Sequence, residues 1–340
     1  MASSTRQAAP AAAAGALAAA GSAAAAAAVK RTRDRRARRK EAERTRAYRL
    51  RSGEDTADGV RRVARGQLDR AGDRLDDGTG ARGDLDGAVH DTRKAFKRLR
   101  ALVRVSRDAL GDEAYRRENT IFRDAGRKLS GTRDAAVLVQ TLDGVTARYR
   151  DELDDGAFAG LRGALAAEAQ AASSALADDP TTVNEVQGTL EAARRRVGGW
   201  PLPDDGGLAM LEPGFERTYR RGRRALRAAR EGPDTEAFHE LRKRAKDLWH
   251  AAQILRPAAP KAMKELGRRA HALSDAAGDD HDLAVLRAAA RERHAALAPG
   301  ELALLERLIA RRRRRLQRKA LAQGRRLYAD KPAALVKLVG

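Results

Sequence analysis

Cysteine is absent from the 340 residues. Its absence excludes a disulfide framework, a zinc-thiolate site and a cysteine nucleophile, and makes a reducing compartment the simpler setting. Aromatic residues are scarce at 4%, and there are only 3 methionines. A core must therefore be assembled from Leu, Val and Ala, which favours closely packed helices over strands. Long apolar runs are missing as well. Ala8 to Val29 is long enough to cross a bilayer, but it is nearly all Ala with Gly, Pro and Ser, whereas a span needs about 20 predominantly apolar residues. It also lacks the charged start and Leu-like stretch of a signal peptide. Residues 1–29 read as a low-complexity, disordered tail, and no segment reads as a membrane span.

Acidic residues fall well short of the basic ones. Net charge is +22 and the pI is near 11.0. Such a surplus repels itself unless an anion is present, so nucleic acid, an anionic membrane or a phosphate polymer is the expected partner. From Lys30 to Arg51 there are 12 basic residues against Asp34, Glu41 and Glu43. This arm and the lone upstream Arg6 account for +10, so the remaining residues still carry +12. The body is basic in its own right.

Beyond the arm, helical periodicity broken by Gly, Pro and Asp clusters predicts helices at about 55–77, 85–110, 112–130, 133–150, 154–177 and 181–197, then at about 210–231, 234–256, 258–277, 280–297 and 299–328. Between the two series lies the strongest break, Gly198 to Gly207, with Trp200 expected to plug against a bundle. Period-2 alternation is nowhere sustained, so an all-α chain without β-sheet is expected.

The two series match each other. Val89-His90-Asp91-Thr92-Arg93-Lys94-Ala95-Phe96-Lys97-Arg98-Leu99 aligns with Phe238-His239-Glu240-Leu241-Arg242-Lys243-Arg244-Ala245-Lys246-Asp247-Leu248 at an offset of 149. Arg133-Asp134-Ala135-Ala136-Val137-Leu138 aligns with His281-Asp282-Leu283-Ala284-Val285-Leu286 at an offset of 148. Two ordered matches at nearly one offset argue for an internal duplication.

On a helix, His90, Arg93, Lys94, Lys97 and Arg104 share one face, since spacings of 3, 4 and 7 return to the same side. Phe96, Leu99, Leu102 and Val103 lie opposite, ready for a core. His239, Arg242, Lys243, Lys246 and His250 form the matching stripe, with Glu240 and Asp247 off it. Surface helices ordinarily interleave acids at i+4, so a like-charged stripe, present twice, points to an external anion rather than to a solvated face. Arg supplies a planar fork of donors and Lys a mobile point charge, both suited to phosphate. Histidine can donate to phosphate, and a nearby anion favours its charged form. Arg123, Arg127 and Lys128 are expected to extend the surface in the first half, Arg217, Arg220, Arg221 and Arg224 in the second, and Arg311, Arg315, Arg318 and Arg325 on the last helix. Arg312 falls among Leu305, Leu308 and Leu316, where it is expected to be paired or pore-facing.

The doubled His-x-x-Arg-Lys-x-x-Lys pattern, at His90/Arg93/Lys94/Lys97 and His239/Arg242/Lys243/Lys246, resembles the signature of the CHAD family, the conserved histidine α-helical domain. Arg133-Asp134 and Asp280-His281-Asp282 also fit its helix-start pattern. The resemblance spans roughly 53–330 and implies two pseudo-symmetric four-helix bundles with a long terminal helix. It also implies a basic groove or pore that binds inorganic polyphosphate, at polyphosphate granules in the cytoplasm. On this reading the chain comprises tail 1–29, arm 30–52, first half 53–197, linker 198–207, second half 208–330 and C-terminal tail 331–340. Arg133 departs from its counterpart His281, and the Glu-x-Glu-x-Lys strand of a triphosphate-tunnel domain is missing.

Neither a catalytic residue nor a cofactor is expected. Two alternatives stand beside polyphosphate binding. Asp279-Asp280-His281-Asp282 with His271 could serve a metal-dependent phosphohydrolase, although Asp280 reads more simply as a helix cap with Asp282 favouring the N-terminus. Nucleic acid could occupy the same basic surface, although Trp249 and Tyr219 are the only aromatics near the stripes and stacking platforms need more. The arm suits nucleic acid or an anionic membrane surface. His271 and His294 match no pattern and are expected at the surface. Binding is expected to weaken with salt and grow with chain length. Replacing Arg93, Lys97, Arg242 and Lys246 by Glu should abolish it.

Overall fold

A computed structural model describes residues 47–80 and 84–338. The tail 1–29 and the arm through residue 46 lie outside the described residues, as do the side chains of residues 131–133. Eleven α-helices account for most of the rest, with no strand among the described residues. They are α1 Thr56–Thr79, α2 Leu85–Val105, α3 Arg107–Lys128, α4 Gly131–Arg148, α5 Ala159–Ala177, α6 Pro180–Val197, α7 Glu212–Glu231, α8 Thr235–Ile254, α9 Pro260–Glu292, α10 Glu301–Leu327 and α11 Pro332–Val336.

Local chemistry sets the helix starts. Asp55, Asp84, Asp179 and Asp234 each cap a helix by accepting a backbone N–H three residues on, at 2.8, 2.9, 3.2 and 2.7 Å, which satisfies donors that the first turn leaves unpaired. Pro180 and Pro260 occupy first-turn positions, where a missing N–H costs nothing.

The apolar stripes converge on two cores. The larger takes Val60, Val63 and Leu68 of α1, Phe96, Leu99, Leu102 and Val103 of α2, Phe122 of α3, Val186 and Leu190 of α6, Phe215 of α7, Phe238 and Leu241 of α8, and Met263 and Leu273 of α9. Trp200 is buried in it as expected. This core therefore spans both sequence series rather than stopping at the linker. The smaller core joins Leu142 and Val145 of α4, Phe158, Leu161 and Leu165 around α5, Leu283 and Leu286 of the distal half of α9, and Leu305, Leu308, Ile309 and Leu316 of α10. The α4–α5 hairpin is thus completed by helices more than a hundred residues downstream.

Before α1, Tyr48 donates its hydroxyl to the carbonyl of Arg98 at 2.6 Å, and Leu50 N–H reaches the carbonyl of Ile254 at 3.2 Å, tying this entry segment to both series. One close approach requires glycine: a Cβ on Gly214 would stand 1.9 Å from the Val105 carbonyl oxygen, so α7 crosses the end of α2 backbone to backbone.

Two expectations need correction. The helices foreseen at 258–277 and 280–297 are one continuous helix, α9. Asp280 is not a cap. It is fully buried inside α9, accepting from Arg313 at 2.9 and 3.2 Å and from Gln317 at 3.1 Å. A long-range ion pair satisfies this carboxylate, and its short-range resemblance to a cap is incidental. The C-terminal segment also carries helix α11, whose Leu335 is buried against the larger core.

Candidate functional site

The two stripes belong to α2 and α8, which pack against each other. They line one cavity of about 550 Å³ together with α3. From the first stripe Arg93, Lys97 and Arg104 reach it, from α3 Arg123 and Arg127, and from the second stripe His239, Arg242, Lys243, Lys246 and His250. The sequence alone left open whether the stripes face a common space. Phe96 and Phe122, stacked at 6.2 Å between ring centroids, complete the lining with Gly126 and Ser130.

The matched segments hold their arginines in similar ways. Arg93 donates to the Ser130 carbonyl at 3.0 Å and approaches Asp134 at 3.4 Å. Arg242 approaches Asp282 at 3.6 Å and lies over Gly278, where a Cβ would come within 3.2 Å of its Nε. Ser130 and Gly278 are separated by the same 148 residues as Asp134 and Asp282. The downstream motif therefore supplies the aspartate that aims each stripe arginine.

Other cavity cations are partly neutralised. Asp247 accepts from Arg104 at 2.6 Å and from Arg244 at 2.9 Å, joining α2 to α8. Expected off the stripe, Asp247 in fact lines the cavity, because α2 brings Arg104 against it. Lys243 pairs with Glu240 at 2.8 Å, and Arg123 chelates Asp124 at 2.7 and 3.0 Å. Lys97 and Lys246, one from each stripe, have no ion-pair partner among the described residues.

These two ammonium groups carry the strain of the site. Withdrawal from bulk water, then the charges of Arg93, Lys246 and Arg242, bring Lys97 down to about 8. Lys246 is lowered by burial and by Arg242, against a single opposing pull from Asp275; it also sits 5.3 Å from the Trp249 ring centroid. Arg100, one turn beyond Lys97, is lowered to about 10 by burial and by Arg104. An arginine so placed remains charged at neutral pH.

Three histidines at the cavity and its edge, His239, His250 and His281, are lowered toward the neutral form. Burial first, then His281 and Lys243, push His239 down to about 4. Its ring lies 4.1 Å from that of His281, which burial and Arg242 also lower. His250 is buried with no hydrogen-bond partner for either ring nitrogen among the described residues, and burial followed by Arg98, Lys246 and Lys97 lowers it well toward the neutral form.

Several foreseen residues lie elsewhere. His90 and Lys94 are on α2 but do not line the cavity, although the Lys94 charge reaches Lys246. Lys128 pairs with Glu185 of α6. Arg217 chelates Asp108 at 2.7 and 3.0 Å, Arg220 pairs with Glu216 at 2.8 Å, and Arg224 is exposed. Arg221 lines a small neighbouring pocket of about 20 Å³ with Arg104, Arg244 and Asp247. On α10, Arg311 pairs with Glu152 at 2.5 Å, while Arg315, Arg318 and Arg325 are exposed. None of these four lines the cavity, because Leu305, Leu308, Leu316 and Ala320 of α10 face the cores and leave these four arginines to solvent. Arg312 borders a separate cavity of about 390 Å³ and stands 3.9 Å from Asp279. The residue that enters the interior is its neighbour Arg313.

Arg100, Arg244, Phe96, Phe122, Ser130 and Asp247 line the site without having been assigned to it. Arg100 had a signal, since 93, 97, 100 and 104 follow the same helical spacing. Ser130 and Asp247 had none, because each acts through a partner far away in sequence. The carboxylates of the metal alternative are engaged by cations: Asp280 with Arg313, Asp282 with Arg242 and Asp279 near Arg312. Among the described residues no group of three His, Asp or Glu side chains is placed to hold a metal ion. His271 and His294 are at the surface, His271 beside Asp275 at 2.6 Å. Among the described residues no helix is long and apolar enough to cross a membrane.

No curated protein matches the chain. A family model described as the CHAD domain matches residues 76–291, from the last turn of α1 to the end of α9 and well over half of the sequence. It takes in both stripes and the aspartates that aim them: the chain belongs to the CHAD domain family.

Proposed function

We propose that the chain binds inorganic polyphosphate in the α2–α3–α8 cavity and does so without turning it over. The observation that carries this reading is the meeting of Lys97 and Lys246 in one cavity, without a carboxylate partner among the described residues and lowered first by burial and then by neighbouring cations. A linear phosphate polymer presents an anion at each unit, so successive phosphoryl groups would meet Arg93 and Lys97 on one wall and Arg242 and Lys246 on the other. Each would relieve repulsion among these cations. Arg93 and Arg242, already aimed by Asp134 and Asp282, would supply forked donors. The neutral histidines would add single N–H donors without adding to the repulsion. Neither a general base beside a nucleophile nor a free carboxylate set enters this reading. In the cell, the protein would act in the cytoplasm at polyphosphate granules.

The test is a competition titration of the full chain with long-chain polyphosphate against duplex DNA and RNA at about 0.15 M salt, where exposed charges are screened. Lys97→Ala with Lys246→Ala is the cleanest variant, because Arg93 and Arg242 also hold local structure. Charge-assisted contacts contribute about 1.5–3 kcal/mol each, so the double variant should lose at least about a hundredfold in polyphosphate affinity with helix content unchanged. Unaltered affinity would remove the cavity from the proposal. Equal affinity of the wild type for all three polymers, with the double variant losing as much for duplex and RNA as for polyphosphate, would replace it with a generic cationic surface.

A further inference from the structure

The arginines of α10 that miss the cavity form a surface of their own. Arg314, Arg315, Arg318, Lys319, Arg325 and Arg326 are exposed, and no carboxylate pairs with any of them among the described residues. From Arg311 to Leu327 the helix contains no acid. Spacings of 3, 4 and 7 keep Arg314, Arg315, Arg318 and Arg325 on a common side, and at 1.5 Å per residue Arg311 to Arg325 extends about 21 Å. Leu305, Leu308, Leu316 and Ala320, on the other side, are buried, which fixes the arginine side toward solvent. Close packing of Leu226 on Gly324 brings α7 alongside, and its Arg224, Arg227 and Arg230 are likewise exposed and unpaired.

We infer that this α10 ridge is a second polyanion-binding surface, separate from the cavity, that takes the phosphate backbone of duplex nucleic acid without reading its sequence. Three observations select that partner. The ridge is open and extended, so a rigid polymer too wide for a cavity of about 550 Å³ can lie along it. It holds no exposed large apolar side chain, the only two on the described surface being Val285 and Leu338. An interfacial membrane helix buries such residues in the acyl boundary. It also lacks exposed aromatics, which single strands need for stacking. Forked guanidinium donors repeated about every turn suit backbone phosphates, and contacts of that kind give affinity without specificity.

The experiment measures fluorescence anisotropy of a labelled duplex of about 20 base pairs across a salt series, for the full chain and two variants. One carries Arg314→Ala, Arg315→Ala, Arg318→Ala and Arg325→Ala; the other carries Lys97→Ala and Lys246→Ala. The basic arm is present in every protein, so differences report the altered surface alone. All four ridge positions are exposed and unpaired, and circular dichroism checks that helix content is kept. Each phosphate contact contributes about 0.9 to the log–log salt slope. The ridge variant should therefore lose three to four from that slope and about tenfold or more in affinity at roughly 0.1 M salt. The cavity variant should bind duplex within about twofold of wild type. An unchanged slope in the ridge variant overturns the inference. So does equal loss in both variants, or ridge-dependent binding of anionic phosphatidylglycerol vesicles without duplex binding. Because the duplex and polyphosphate arms use different variants, failure here leaves the cavity proposal standing, and the reverse also holds.

Discussion

Lys97 makes the site sensitive to pH in two opposite ways. Its folded value, about 8, lies below the 10.5 of an exposed lysine. Between those values the unfolded chain holds a proton that the folded protein has released. Stability of the unliganded protein should therefore rise across that window, and the full cost should be present below about 8. Urea midpoints at about pH 7.5 and about pH 9.5 should differ less in Lys97→Met than in wild type. A bound phosphate polymer works the other way. It stabilises the ammonium form, so binding near pH 8 should take up protons, and affinity should fall as pH rises through that value. Calorimetry in two buffers of different ionisation heat reads the uptake. His239, at about 4 against an ordinary 6.5, shifts in the same direction. Over that lower window the unfolded chain binds the extra proton, and stability falls as the solution is acidified.

At the scale of the element, α9 is where sequence and structure part. Gly278-Asp279-Asp280 has the composition of a helix end, and the first half does break at the equivalent place, with α3 closing at Lys128 and α4 opening at Gly131. In the second half the helix runs on because Asp280 has a buried partner, Arg313, on α10. Gly278, meanwhile, provides room for Arg242 rather than a turn. Removing one member of a buried pair leaves an uncompensated charge, at a cost of about 3–5 kcal/mol. Arg313→Leu should destabilise the protein by that amount in urea unfolding, whereas the adjacent Arg314→Leu, exposed and unpaired, should cost less than about 0.5 kcal/mol. What is local is legible: the apolar back of α2, the Gly198–Gly207 break and the burial of Trp200. The stripe was legible because helical spacing is a local property. Arg100 fits the same spacing, yet the stripe was assigned around its motif residues. Asp247 and Ser130 were illegible because their place in the site depends on which helix lies opposite, which no short-range pattern specifies. The α10 arginines were assigned by charge alone, and charge does not tell which wall a side chain faces.

For the whole molecule, the two matching series in the sequence are not divided in the core. The larger core takes residues from both series, and the smaller one joins α4 and α5 to the distal half of α9 and to α10. A fragment of residues 53–197 should therefore not fold alone, despite containing one full copy of the motif. Circular dichroism and urea titration should give a non-cooperative transition, and dye binding should report exposed apolar surface. Co-expression with 198–340 should restore cooperativity if the two pieces meet. A cooperative transition in the isolated fragment would mean that the cores are separable after all.

The same shared core has a consequence during synthesis. Leu142, Val145, Phe158, Leu161 and Leu165 leave the ribosome well before Leu283, Leu286 and the leucines of α10 that cover them. At roughly 5–20 residues per second, the stretch from the end of α5 to Leu316 takes about 7–28 s to emerge. For that interval the α4–α5 hairpin presents an unpartnered apolar face to solvent or to other nascent chains. The chain is therefore one whose yield should depend on translation speed and on holding chaperones more than its final helical content suggests, with slower elongation between residues 177 and 316 lengthening the exposure.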